Sequence, residues 1–325
     1  MDRRRLVGVL LVVVSAASFG SGALFAKPVY AEGVGWLTLL TWRFSLASAL
    51  AWVWLLLGAE RRAGLRRIDR RRFAVTLVLG LVYLGNSGTY YAALETVSAS
   101  LAALIVYVYP AIVAVLTLKL GRPLEGRQAW AALGLALLGV ILAIGGIPTG
   151  SAPPLAGLLQ AVASPVIYSV WIVCQAWLSG ERSDRVGDAS AEGAEGAAAT
   201  ALMMTSTAVG FWLIALVSGA PVEPARIPAP VWPGIAAVAV ISTFVAIQTF
   251  YAGMRRIGAA QASLISTVEP VWTISLAALL LGERLGTIQL VGGALVIGGV
   301  ILAQLRRGVP IVEPVGLAAV RIADE

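Results

Sequence analysis

The chain has 325 residues, 59% of them hydrophobic and 13% charged, with a net charge of +7, and its mean hydropathy is +0.87; soluble chains average about 45–50% apolar and about 25% charged residues. So few charges, clustered between long apolar runs, cannot wet the surface of a soluble protein of this length, which excludes a soluble enzyme and points to a bilayer. There is no histidine and a single cysteine, Cys174, which excludes a His-based triad, a His proton relay, an internal disulfide and a Cys/His metal site. No Gly-x-x-x-x-Gly-Lys-[Ser/Thr] loop is present to hold ATP, and no cofactor or metal is expected.

A transmembrane helix needs about 20 mostly apolar residues. Runs of that length predict ten helices, over 6–26, 36–57, 73–93, 97–118, 128–146, 153–178, 197–219, 229–251, 258–281 and 287–305. The third and fourth are separated only by Leu94, Glu95 and Thr96, which predicts a tight helix-helix turn. Arg3, Arg4 and Arg5 ahead of the first run also fit a cleaved leader, but the run is long enough to cross, and its loss would leave nine spans.

Lys and Arg then fall on alternate sides. Arg3 to Arg5, the seven arginines from Arg61 to Arg72, Lys119, Arg122, Arg127, Arg182, Arg185, Arg255, Arg256, Arg306, Arg307 and Arg321 share one side, against Lys27, Arg226 and Arg284 on the other. By the positive-inside rule both termini are cytoplasmic, in a multi-pass inner-membrane protein. The basic excess is thus a topology signal lying against anionic headgroups, and no nucleic-acid partner is expected.

A shift of 160 residues lays Thr89-Tyr90-Tyr91-Ala92 on Thr249-Phe250-Tyr251-Ala252 and Tyr109-Pro110 on Glu269-Pro270, with nine of 22 pairs identical from Thr89 to Pro110. The register holds again at Gly139 to Ala143 against Gly299 to Ala303, the mark of an internal duplication. Five spans per half is an odd number, so the second half enters from the opposite side and the repeat is inverted, a recurring construction in secondary transporters. The expected units are residues 1–150 and 151–308, with a flexible cytoplasmic linker at 179–196 carrying Glu181, Asp184, Asp188, Glu192 and Glu195 as a solvated loop, and a cytoplasmic tail at 309–325.

The stretch Glu269-Pro270-Val271-Trp272, continuing through Leu280-Leu281-Gly282-Glu283 to Gln289-Leu290-Val291-Gly292-Gly293 and Gly299 to Leu302, resembles the end of an EamA-type domain, with a fainter copy from Pro110 to Gly121, Gln128 and Gly139-Val140. Lys27 and Arg43 extend the resemblance over nearly the whole chain. It implies the drug/metabolite transporter superfamily: an all-α integral membrane fold of ten transmembrane helices in two inverted five-helix repeats, exporting amino acids or other small metabolites. It also implies a cavity lined by the first four helices of each half, with the fifth and tenth peripheral. Those two are nearly free of polar side chains and offer the small-residue pairs Ala132/Ala136 and Ala294/Gly298 for close packing.

Charged residues within spans are costly and face a cavity or a partner. Glu269 falls near the middle of the ninth span, just before Pro270, and Arg43 about 10 Å into the second. Either binds a substrate's amino or carboxylate end, or the two neutralise each other as an ion pair. Lys27 lies where a lysine can snorkel to the outer interface. Pro110 and Pro270 predict paired helix kinks, which in transporters mark a midplane site. Tyr83, Asn86, Tyr90, Tyr107, Tyr109, Tyr168, Trp171, Gln175, Gln248, Gln261, Thr267 and Trp272 offer aromatic faces and hydrogen bonds around it, whereas Trp36, Trp52 and Trp54, near span ends, read as an interfacial belt.

The resulting expectation is a secondary transporter exporting a small polar or amphipathic metabolite such as an amino acid, with proton coupling suggested by Glu269. A multidrug or nucleotide-sugar carrier of the same superfamily is the alternative, followed by a non-transporting scaffold or an unrecognised membrane enzyme. All five aspartates fall in loops or tails, so an intramembrane aspartyl protease lacks its carboxylate pair. Substrate identity, coupling ion, flux direction and oligomeric state have no motif in the sequence.

Overall fold

The computed structural model describes residues 3–118, 126–147, 152–178 and 189–304, and among these the regular elements are all helical. Every predicted span is occupied by helix. The first is α1 (Arg3–Gly20) and α2 (Gly22–Ala31), interrupted at Ser21, and the second is α3 (Trp36–Leu57). After α4 (Ala59–Arg67) come α5 (Arg70–Thr96), α6 (Ala99–Val106), α7 (Tyr109–Leu118), α8 (Gly126–Gly145) and α9 (Leu155–Leu178). The second half continues with α10 (Ala189–Ser218), α11 (Trp232–Ala239), a π-helical turn (Val240–Val245), α12 (Ala246–Ile257), α13 (Ala259–Ser266), α14 (Val268–Leu280) and α15 (Thr287–Gln304).

Among the described residues six helices are long and apolar enough to cross a bilayer, and the apolar helices Ala99–Val113, Trp130–Gly145, Val268–Leu280 and Thr287–Leu302 are shorter. The protein is an all-α, multi-pass membrane protein. Two of the short ones fall in the fourth and ninth predicted spans, each broken ahead of its proline. The turn between the third and fourth spans is only Val97 and Ser98, where the Ser98 side chain caps α6 by accepting from the Leu101 amide.

Two segments expected as loops are helical. The Arg-rich connection forms α4, whose Ala, Glu, Leu and Arg residues are good helix formers, with Glu60 in the first turn and Arg66 and Arg67 in the last complementing the dipole. The predicted linker 179–196 is a correction of the same kind: α10 begins at Ala189, in an alanine-rich stretch. Residues 179–188 of that linker, with Glu181, Asp184 and Asp188, lie outside the described residues, as do the tail 309–325 and the side chains of Gln175, Glu192 and Glu195.

The packing has the two-fold logic of an inverted repeat. α3 packs on α10 and α8 on α15, and the α1–α12 contact has its counterpart in α9–α5. At the α8–α15 seam a Cβ on Gly139 would lie 2.5 Å from the Gly292 carbonyl, and one on Gly299 would lie 2.7 Å from the Ala132 carbonyl. Adding 160 turns 132 into 292 and 139 into 299, so each contact is the image of the other and the two helices run antiparallel. Only residues without bulky side chains allow this approach. The seam on α15 is Gly292, Val296 and Gly299, all buried, whereas Ala294 and Gly298 are exposed and Gly298 meets no neighbour within 4 Å. The expected Ala294/Gly298 pair is therefore corrected; Ala132 and Ala136 are fully buried in the seam.

A second image pair links α3 to α10. The Trp52 indole donates to Thr205 Oγ1 at 2.8 Å, and the Trp212 indole donates to Ser45 Oγ at 2.9 Å. Trp52 is thus an interhelical contact rather than a belt residue. Trp36 is also half-buried against the core, and only Trp54 keeps an exposed ring, with the Arg61 guanidinium 3.9 Å above it.

Candidate functional site

The site is built where the fourth helix of each half breaks. α6 ends at Val106 and α7 resumes at Tyr109; α13 ends at Ser266 and α14 resumes at Val268. The breaks at Tyr107–Val108 and Thr267 share one register in the repeat, each just ahead of its proline. Pro270 has no N–H to offer the carbonyl four residues earlier, that of Ser266. The Tyr107 hydroxyl, from the other half, donates to that carbonyl at 2.6 Å, so the orphaned acceptor is satisfied across the two halves.

The same hydroxyl lies 2.9 Å from Glu269 Oε2. A phenol carries one proton. When that proton is directed to the Ser266 carbonyl, the contact with Glu269 is a full hydrogen bond only if the carboxyl brings its own proton. When Glu269 is ionised, the two acceptors compete for one donor. Glu269 is half-buried, so it combines a protein partner with a part of its surface left open.

From Glu269 a chain of rings runs through the molecule. Tyr107 meets Tyr109 with centroids 5.8 Å apart, Tyr109 meets Tyr168 at 4.7 Å, and Tyr168 stacks on Trp171 at 5.7 Å. Trp171 meets Tyr83 at 5.3 Å and Tyr83 meets Phe44 at 6.1 Å. The Arg43 guanidinium then lies 4.9 Å from the Phe44 centroid and 4.5 Å from that of Tyr91, in cation–π range. Tyr90 joins this end through Tyr91, with centroids 5.4 Å apart. Tyr83, Tyr90, Tyr109 and Tyr168 are all half-buried.

Arg43 is held by Thr243 Oγ1, which accepts from Nε at 2.7 Å, and by Ser87 Oγ, which accepts from Nη1 at 3.5 Å. Thr243 sits in the π turn, and its own hydroxyl donates to the Val238 carbonyl five residues back. Such turns are frequent at functional sites. Arg43 Nη2 has no acceptor among the described residues, yet the sealed polar atoms without partners there are Ser100 Oγ and Ser242 Oγ; the nitrogen therefore reaches accessible space. No ion pair joins Arg43 to Glu269, and between described residues the salt bridge is Arg226–Glu223 at 3.5 Å. The alternative of a direct Arg43–Glu269 ion pair is corrected: a line of aromatic rings connects them instead.

Not every predicted residue joins this line. Asn86 is buried with its Oδ1 accepting from Ser164 Oγ at 2.9 Å, an α5–α9 contact. Trp272 donates to Ser21 Oγ at 3.1 Å, at the α1–α2 interruption. Thr267 occupies the second helix break, and Gln248 is half-buried on α12 with no hydrogen bond among the described residues. Lys27 donates to the Val97 carbonyl at 2.7 Å, where a helix C-terminus favours a cation. Gln261 is exposed near the N-terminus of α1. Among the described residues no group of three His, Cys, Asp or Glu could hold a metal.

Sequence reasoning missed Phe44, Tyr91, Ser87 and Thr243 as supports of Arg43. Tyr91 was visible in the repeated Thr-x-Tyr-Ala motif, but the π turn that presents Thr243 has no sequence signal. It also left Glu283 inside a motif without a role, although its carboxylate accepts from the Ala99 and Ser100 amides at 2.8 and 2.9 Å and so caps α6 from the other half. Glu95 similarly accepts from the Trp36 amide at 2.6 Å, at the start of α3.

The sequence model of the EamA-like transporter family matches this chain twice, at residues 6–145 and 155–305. An uncharacterised transporter of Bacillus subtilis strain 168, YcbK, is 27% identical over 298 residues, covering 89% of this chain and 90% of its own. A second from that organism, YyaM, is 26% identical over 91% of this chain and 93% of its own. An uncharacterised transporter of Archaeoglobus fulgidus is 24% identical over 91% and 96%. A protein crystal structure 20% identical in sequence superposes with a TM-score of 0.59, covering 91% of this chain and 96% of that one, which supports the fold. With both halves matched and the duplicated architecture in place, the chain belongs to the EamA-like transporter family.

Proposed function

We propose that the chain is a secondary transporter of the inner membrane, exporting amino acids or related small metabolites by alternating access of a central cavity. Residues 1–150 and 151–308 form its two inverted repeats, and both termini are cytoplasmic, as the distribution of Lys and Arg favours. The observation that carries the reading is the line of buried and half-buried rings with Glu269 at one end and Arg43 at the other, unpaired with each other. Either charge can hold one end of a zwitterion, Glu269 its ammonium or Arg43 its carboxylate, with the amphipathic rings lining the rest of the path.

Proton coupling follows from the shared Tyr107 proton. A protonated Glu269 completes the hydrogen bond with Tyr107, whereas an ionised Glu269 is free to hold a cation, so proton and substrate would compete for one carboxyl. The titratable groups around it are Tyr107 and Tyr109 from the α6–α7 break, Tyr83, Tyr90 and Tyr91 from α5, and Tyr168 from α9. A lipophilic cation is the second reading, favoured because Arg43 is 4% exposed while Glu269, Tyr109 and Tyr168 are half-buried.

Counterflow in proteoliposomes preloaded with pools of amino acids, lipophilic cations or nucleotides distinguishes these readings. The proposal expects exchange from the amino-acid pool. Exchange from the cation or nucleotide pool alone would replace it with the corresponding alternative, and retention of all three would remove the substrate assignment.

A further inference from the structure

Away from the central line, α1 and α12 cross so closely that a Cβ on Gly8 would lie 2.8 Å from Arg256 Cβ, and one on Gly253 would lie 2.8 Å from the Gly8 carbonyl. The crossing draws the basic start of α1 against the basic end of α12. There Arg4, Arg5, Arg256, Ile257 and Gln261 line a cavity of about 450 Å³. With its amide turned to satisfy both ends, Gln261 accepts from Arg5 Nη2 at 3.0 Å and donates to the Ile257 carbonyl at 3.2 Å. Arg256 Nη1 donates to the Ala252 carbonyl at 2.6 Å.

This cluster has no counter-charge among the described residues. No carboxylate pairs with Arg4, Arg5, Arg255 or Arg256 among the described residues, and the first turn of α1 holds no acid. Arg4 and Arg5 moreover sit at a helix N-terminus, where the backbone dipole favours anions and opposes cations. Guanidinium groups gathered at one cavity against both mutual repulsion and the dipole fit an anionic ligand, and their planar forks match the paired oxygens of a phosphate.

We propose that Arg4, Arg5 and Arg256 form a phosphate-binding site between the two repeats, taking the phosphodiester of a lipid headgroup or a soluble phosphate ester. A basic pocket between membrane helices is suited to either source. The ligand bridges one residue pair of the first repeat to one residue of the second, so it stabilises the crossing of α1 and α12.

The test is native mass spectrometry and thermal unfolding of the full chain in a phosphate-free neutral detergent, with phosphatidylglycerol, diacylglycerol of the same chains, glycerol 3-phosphate or inorganic phosphate added. Wild type should retain phosphatidylglycerol but not diacylglycerol and unfold at higher temperature with it. Retention without any response to the soluble phosphates assigns the site to a headgroup; stabilisation by glycerol 3-phosphate or inorganic phosphate assigns it to a free phosphate. The triple variant Arg4→Gln, Arg5→Gln, Arg256→Gln should bind at least about tenfold more weakly, while the charge-matched Arg62→Gln, Arg66→Gln, Arg67→Gln binds as wild type. Should the first triple variant fail to fold, Arg256→Gln alone should reproduce its loss. Equal weakening in the Arg62/Arg66/Arg67 variant, or no binding of any phosphate probe by wild type, would overturn the site.

Discussion

At the α8–α15 seam Gly139 meets Gly292 and Ala132 meets Gly299, so each contact has an image in the other half. At the centre Tyr109 stands where the other half has Glu269, and in the register fixed by the Trp52–Thr205 and Trp212–Ser45 pair, Arg43 stands where it has Met203. Both regions descend from one duplication. Contacts with an image are those that two inverted copies need in order to hold together, and they are close. Residues without an image are not required by that architecture. Glu269 and Arg43 both fall in this second group, which is why we propose for them a part in transport rather than in assembly.

The comparison is broken most severely at the seam. Gly292→Val places a side chain against the Gly139 carbonyl, 2.5 Å from the ideal Cβ, and should destabilise by about 1–3 kcal/mol as an overpacked contact. Gly298→Val, with nothing within 4 Å, should leave the unfolding temperature unchanged, and equal losses at both positions would refute the seam. Next comes Tyr107→Phe, which strands the Ser266 carbonyl and should cost about 1–3 kcal/mol, with a changed pH profile of flux because Glu269 loses its partner. A stability loss with an unaltered pH profile would make Tyr107 purely structural.

Glu283→Gln keeps an acceptor for one of the two α6 amides but sets its NH2 against the other, which should cost about 1–3 kcal/mol. It also gives up the charge at the helix N-terminus, about 0.3–1 kcal/mol. Thermal unfolding at low and high salt would separate the two, only the charge contribution shrinking as salt rises. Trp52→Phe and Trp212→Phe sharpen the symmetric side. Each removes one of two image hydrogen bonds and should lower stability by a similar amount, about 0.5–1.5 kcal/mol; a loss confined to one of them would mean that the images are not equivalent in energy.

Much of this organisation is legible in the sequence because hydrophobic run length and a repeated motif report on position directly. The span 36–57 coincides with α3, and Tyr109-Pro110 over Glu269-Pro270 marks both helix breaks to within three residues. Helical order in polar connections was harder to see, since Arg61 to Arg72 and the alanines after Asp188 suit a helix or a loop equally by charge alone. At the site, chemistry was visible and pairing was not. Glu269 and Arg43 stand out as charges in apolar runs, but the ring path between them depends on how α5, α7 and α9 meet. Thr243 depends on a π turn set by tertiary packing, and Asn86 was indistinguishable in sequence from a substrate-facing amide until Ser164 appeared beside it.

The account rests on Glu269 acting in transport rather than in folding. Flux of the exchanged substrate in proteoliposomes, with and without an imposed pH gradient, should be measured for wild type and Glu269→Gln protein of equal unfolding temperature. The account predicts that flux driven by the gradient falls at least about tenfold in the variant, a loss of ~1.4 kcal/mol or more, and that its remaining flux ignores the gradient. A variant that transports at the wild-type rate with the wild-type response to pH would contradict it.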